Sequence, residues 1–149
     1  GKYADQEGNT NPIDCKDCAC GTYSNSSAAS SSDACQKCPS GTYAQGVANT
    51  HSAACHPCAR GKYSPLDGQC NNPCVNCNAG TYSIQLGGQA VKSCQACPDD
   101  SRSSSGSDEQ ADCQCNVGYS GANGGECMAC VAGTYKVASG SSLCTECAT

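Results

Sequence analysis

Apolar residues along this 149-residue chain come singly or in short clusters, and nowhere do they recur at the 3.6-residue spacing of an amphipathic helix. Gly, Ser and Asn interrupt every stretch long enough to hold one, so the pattern predicts almost no helix. The regular feature is a short beat. Two cysteines separated by two residues lead to a turn Gly, then Thr or Lys, then Tyr, and a polar run rich in Ser, Ala and Gly follows, as in CQKCPSGTYAQGVANTHSAAC. Gly permits a positive φ where the chain reverses, and Thr-Tyr has good strand propensity. Each unit is therefore predicted to be a small β-hairpin, its Tyr ring lying over the adjacent disulfide as a miniature core with the hydroxyl at the surface.

The beat repeats. C-x-x-C pairs stand at Cys15/Cys18, Cys35/Cys38, Cys55/Cys58, Cys74/Cys77, Cys94/Cys97, Cys127/Cys130 and Cys144/Cys147, and their first cysteines step by 20, 20, 19, 20, 33 and 17 residues. All seven Tyr obey the same grammar: Tyr3, Tyr23, Tyr43, Tyr63, Tyr82 and Tyr135 close G-[TK]-Y, and Tyr119 closes G-Y. A period near 20 predicts an elongated tandem array in which each unit chiefly meets its neighbours. Three regions are expected: tandem repeats over 1–97, a Ser-rich insert with a departing C-x-C-N-x-G-Y unit over 98–127, and further repeats over 128–149.

Composition explains what must hold such an array together. Phe and Trp are absent, and the large aliphatic residues are two Ile, three Leu, six Val and one Met, too few for a shared oily core. Eighteen Cys supply the missing constraint, which marks a disulfide scaffold made in an oxidising compartment and an extracellular or cell-surface location. Eight Lys plus Arg against thirteen Asp plus Glu, with no basic cluster, offer no face for nucleic acid or anionic lipid. No apolar run approaches the roughly 20 residues of a membrane span, so no membrane insertion is expected.

The C-x-x-C-x-x-G-T-Y units resemble cysteine-rich repeats of the ephrin-receptor-like and GCC2/GCC3 type, which are similar in turn to tumour-necrosis-factor-receptor repeats. The stretch CNVGYSGANGGECMACVAGTYKVASGSSLC is similar to arrays in large surface and appendage proteins of single-celled eukaryotes, and its C-x-C-N-x-G-Y-x-G opening resembles the C-terminal half of an EGF-like module. The resemblance implies an extracellular, ladder-like fold and leaves the ligand open, since such modules serve as receptors, coats and spacers alike. The EGF-like half implies a small hairpin closed by Cys115 and Cys127.

Elsewhere the simplest scheme joins the second Cys of one pair to the first of the next: Cys18 to Cys35, Cys38 to Cys55, Cys77 to Cys94, Cys130 to Cys144, with Cys97 taking Cys113. Cys58 has a choice between Cys70 and Cys74, and Cys20 has no obvious partner. Cys15 and Cys147 are left over near opposite ends. Joining Thr149 to Gly1 writes CTECATGKYADQ, which completes a C-x-x-C-x-x-G-K-Y motif closing on Tyr3, and Cys144 then stands 20 residues before the next Cys15. Gly1, Tyr3, Cys15, Cys147 and Thr149 are accordingly candidate residues of a junction between consecutive copies, by peptide bond, disulfide or contact, with a segment trimmed at a repeat boundary as the plain alternative.

Other chemistry finds weaker support. Two C-x-x-C pairs could form a Cys₄ zinc site, but seven pairs plus four extra cysteines fit no four-ligand grouping, so no metal and no cofactor are expected. Asp5, Glu7, Asn9 and Asn11 alternate as calcium ligands can, yet Lys16 stands where an EF-hand needs its bidentate Glu; a solvated turn is the better reading there and at Asp108, Glu109 and Asp112. His51 and His56, the only histidines, lack a catalytic constellation and read as surface loop residues, so no enzyme is expected. Asn25 in Asn-Ser-Ser is the single N-linked sequon. The sequence thus points to a structural subunit of an extracellular filament, appendage or coat whose partners are other copies of itself and attached glycans. A ligand-binding segment of a receptor or adhesion ectodomain is the alternative.

Overall fold

The computed structural model describes residues 1–148; Thr149, one of the candidate junction residues, lies outside the described residues. The chain is a disulfide-rich array of short β-hairpins with almost no helix. Eight hairpins follow one another among the described residues, and six of them share one construction. One strand is the Thr-Tyr or Lys-Tyr dipeptide; the other is the pair of residues enclosed by the next C-x-x-C. Thr22–Tyr23 pairs antiparallel with Gln36–Lys37, with Thr22 opposite Lys37 and Tyr23 opposite Gln36. Lys2–Tyr3 pairs in the same way with Lys16–Asp17, and Thr81–Tyr82 with Gln95–Ala96. The hairpin is closed by the amide of the second Cys, which donates to the carbonyl of the turn Gly: Cys18 to Gly1, Cys38 to Gly21, Cys58 to Gly41 and Cys77 to Gly61, at 2.8–2.9 Å. The sixth hairpin, Ser101–Arg102 with Gln114–Cys115, is built without a Tyr.

Among the described residues five single-turn 3-10 helices, which the apolar pattern does not announce, sit directly before a cysteine: Pro12–Asp14, Ser32–Ala34, Ser52–Ala54 and Val91–Ser93 before a C-x-x-C, and Gln110–Asp112 before the C-x-C of Cys113 and Cys115. Local polar chemistry caps the first and the last. The Asp14 carboxylate accepts the amides of Thr10 and Asn11, each at 3.0 Å, and Asp112 accepts those of Asp108 and Glu109 at 3.0 and 3.3 Å, holding the backbone groups that open the turn. The Asp108, Glu109 and Asp112 cluster is thus a cap.

The chain divides into two compact units. The first comprises residues 1–59, 63–75 and 86–90 and holds the disulfides Cys18–Cys35, Cys20–Cys70, Cys38–Cys55 and Cys58–Cys74. Its third hairpin, Thr42–Ala44 with His56–Pro57, gains a further strand, Gln69–Cys70, parallel to Thr42–Ala44. The second unit comprises residues 60–62, 76–85 and, among the described residues, 91–148, and holds Cys77–Cys94, Cys97–Cys113, Cys115–Cys127 and Cys130–Cys144. Eight bonds thus engage sixteen of the eighteen cysteines, the state of a chain matured in an oxidising compartment.

The core is sulfur. Among the described residues the buried apolar side chains are Cys18, Cys38, Cys58, Cys77, Cys113 and Cys115, joined only by Ala44 and Tyr82. The Tyr rings are covered to differing degrees: Tyr82 is buried, Tyr3, Tyr23, Tyr43, Tyr63 and Tyr119 are half-buried, and Tyr135 is 47 % exposed.

Candidate functional site

What joins one repeat to a later one within each unit is a backbone latch. The polar run of each repeat turns at a residue with positive φ, recurring at Gly8, Ala28, Ala48, Gly68, Gly87 and Gly106. The amide at the turn donates to the carbonyl of a half-cystine from an earlier repeat: Ala48 to Cys18 at 2.9 Å, Gly68 to Cys38 at 2.7 Å, Gly87 to Cys58 at 2.8 Å and Gly106 to Cys77 at 2.8 Å. In each case the receiving cysteine is the second of its pair, fully buried, and its sulfur is bonded to the cysteine that stands twelve or thirteen residues before the turn: Cys35, Cys55, Cys74 and Cys94. Disulfide and latch therefore act on the same cysteine.

The turn Gly of the motif makes room for this approach. Gly41 has φ +80°, and a Cβ there would overlap the carbonyl of Gly87, the residue that latches to Cys58. The same overlap occurs between Gly21 and Gly68 and between Gly61 and Gly106, whereas Gly80, Gly118 and Gly133 face open space. The sequence signals the turn at these glycines; it carries no sign of the second chain segment that presses on them.

Two thiols stand outside this scheme. Cys15 and Cys147 are free and exposed. Cys15 precedes the strand of the first hairpin, with the 3-10 turn that carries Ile13, 87 % exposed, directly before it. Beside it lies a cavity of about 500 Å³ lined by Gly1, Tyr3, Cys15, Asn25 and Ala28 among others, so the structure gathers most of the N-terminal candidate residues on one face. Gly1 is buried, its amino group donating to the Ala48 carbonyl at 2.7 Å, and Tyr3 lies in a parallel bridge with Ala29. Asn25, the sequon residue, is exposed on the rim. The charged residues of this hairpin pair across it: Lys16 reaches Asp5 at 2.8 Å, and Lys2 reaches Asp17. The hydrogen bond from Lys16 holds the Asp5 carboxyl below its ordinary value, and the hydrogen bonds to Asp5 and Asp17 hold Lys16 and Lys2 above theirs.

Cys147 follows the last strand of the last hairpin, Thr134–Tyr135 with Thr145–Glu146, and its amide donates to Gly133 at 2.9 Å. This hairpin carries an apolar surface: Leu143 is 81 % exposed, and Val131, Val137 and Tyr135 are exposed with it. Its neighbour Lys136 is buried, the ammonium donating to the carbonyls of Tyr119 and Gly140. His51 and His56 are both exposed, His56 in a strand and not in a loop, its ring 6.0 Å from that of Tyr43. Among the described residues no group of three or more metal-ligating side chains occurs, and no helix is long and apolar enough to cross a membrane. No family model matches the chain, and no curated protein matches it.

Proposed function

We propose that the chain is a non-enzymatic structural element of an extracellular filament, appendage or coat, whose copies stack head to tail. The observation that carries this reading is the pair of free, exposed cysteines in a chain that bonds all sixteen others. Cys147 is the second cysteine of its pair and Cys15 the first of its own, the same polarity as Cys18 with Cys35 or Cys38 with Cys55. A bond from Cys147 of one copy to Cys15 of the next continues the internal rule. The two thiols give up two protons and two electrons to a low-molecular-weight disulfide of the compartment, such as glutathione disulfide, which is reduced to two thiols. The repeat grammar's resemblance to ephrin-receptor-like and surface-array repeats supports the same role. Copies tied by contacts that do not close into a ring form open filaments.

Peptide mapping of an unreduced digest of native material tests it. The expected product is a disulfide-linked pair of peptides containing Cys147 and Cys15 from different copies, or a peptide that runs through Thr149 into Gly1. If the two cysteines are instead bonded within one copy, or both are recovered as free thiols with no spanning peptide, the array reading gives way to a receptor or adhesion segment acting alone.

A further inference from the structure

The backbone latch has an unused half at each of the two free cysteines. Ala28 has φ +57°, beside +60° at Ala48, but its amide meets no acceptor among the described residues, and it is exposed where the latched turns are half-buried. It stands thirteen residues after Cys15, the spacing that separates Cys35 from Ala48, Cys55 from Gly68 and Cys74 from Gly87. The carbonyl of Cys147 accepts no hydrogen bond among the described residues; those of Cys97 and Cys130 accept none either, but Cys147 alone among these three has a free thiol, and it is exposed where the receiving cysteines Cys18, Cys38, Cys58 and Cys77 are fully buried. One side thus offers a free thiol and, thirteen residues on, a turn whose amide is unused. The other offers a free thiol and an unused carbonyl on the same residue.

We infer that Ala28 of one copy latches onto the Cys147 carbonyl of the preceding copy, so that the junction between copies repeats the internal joint in both its disulfide and its hydrogen bond. The inference rests on the head-to-tail reading above and adds to it the atoms in contact. The occupant is a second copy of this chain, because Cys147 bonded to its Cys15 would place the Ala28 turn thirteen residues after the disulfide partner, as Ala48 stands after Cys35 and Gly68 after Cys55. Apolar surface agrees: Ile13 stands two residues before Cys15, and Leu143 and Val137 lie in the loop of the hairpin that ends at Cys147, three of the most exposed large apolar side chains among the described residues, and burying them gives the contact a driving force.

The test mixes two full-length variants, Cys15→Ser and Cys147→Ser, in a glutathione redox buffer. Only the first chain's Cys147 and the second chain's Cys15 can then join head to tail. The second chain is isotopically labelled, and amide hydrogen exchange is followed residue by residue. The expected result is a mixed disulfide dimer in excess over either symmetric one, in which Ala28 of the labelled chain exchanges about fivefold slower or more than in the monomer, while Ala28 of the unlabelled chain is unchanged. If the mixed dimer forms but Ala28 exchanges alike on both chains, the latch is wrong and the head-to-tail link survives. If symmetric dimers or glutathione adducts form instead, with no excess of the mixed species, the head-to-tail reading falls and takes the latch with it.

Discussion

At the scale of single residues, two glycines separate the two demands that the motif places on its turn. Gly41 and Gly80 have φ of +80° and +81°, but a Cβ at Gly41 would meet the Gly87 carbonyl, and one at Gly80 would meet nothing within 4 Å. Gly80→Ala is expected to cost about 1 kcal/mol, the strain of a positive φ alone. Gly41→Ala is expected to cost roughly 1–3 kcal/mol more, because backbone must move to admit the methyl. Thermal unfolding of the oxidised variants measures both, and equal costs would mean that the approach of Gly87 is not a tight one. Asn25 poses a different question at this scale. It shares the cavity face with Cys15 and Ala28, so a glycan there would occupy the space a preceding copy needs. Glycosylated chain should form fewer Cys15-linked dimers than Asn25→Gln chain when the two are oxidised side by side, and equal yields would remove Asn25 from the junction.

Among the described residues, the first hairpin is the one held by ion pairs as well as by backbone pairing. Asp5 is depressed in the fold, so its contribution is present above its ordinary pKa and is lost as pH falls through the lowered value. Lys2 and Lys16 are raised, so theirs is present below the ordinary Lys value and is lost as pH rises through the raised one. The added stability therefore spans the interval from about pH 4 to about pH 10 and is small, because all three side chains are solvent-exposed and screened by salt. Amide exchange at Lys16 and Tyr3 should speed up at both edges of that interval, after correction for intrinsic rates, and 1 M salt should erase most of the difference. A profile unchanged by salt would leave the backbone ladder as the sole support of this hairpin. The 3-10 turns belong to the same scale. The first and the last of them are held by Asp14 and Asp112 accepting amides three and four residues back, a short-range polar signal written into NPIDC and EQADC that a search for apolar periodicity passes over.

Across the whole molecule the stabilising agent is the set of disulfides, and they are not equivalent. The bonds between successive pairs close short loops, such as the separation of 17 residues between Cys38 and Cys55, while Cys20–Cys70 spans 50. Loop-closure entropy assigns about 3 kcal/mol to the first and about 4 kcal/mol to the second. The Cys20→Ser/Cys70→Ser pair should accordingly lower stability more than the Cys38→Ser/Cys55→Ser pair in denaturant unfolding, if strain and residual structure are alike. The reverse order would mean that the buried half-cystine Cys38, which also receives the Gly68 latch, outweighs chain entropy.

The repeat period, the hairpin unit and the near absence of helix are legible in the sequence because they follow from short-range facts: a Gly that must reverse the chain, a Thr-Tyr that extends it, a cysteine pair that encloses the partner strand, and too few aliphatic residues to build anything else. Bonds such as Cys18–Cys35 lie within reach of one such unit and are set by it. Only the tertiary structure decides what lies beyond one repeat. Cys20 finds Cys70 because Gln69–Cys70 returns as a strand beside Thr42–Ala44, a parallel pairing with no mark in either segment. Ala48 latches onto Cys18, and Gly87 settles on Gly41, through backbone groups that every residue possesses. A side chain announces itself in a sequence, whereas an amide or a carbonyl acquires a partner only when the fold brings one within about 3 Å.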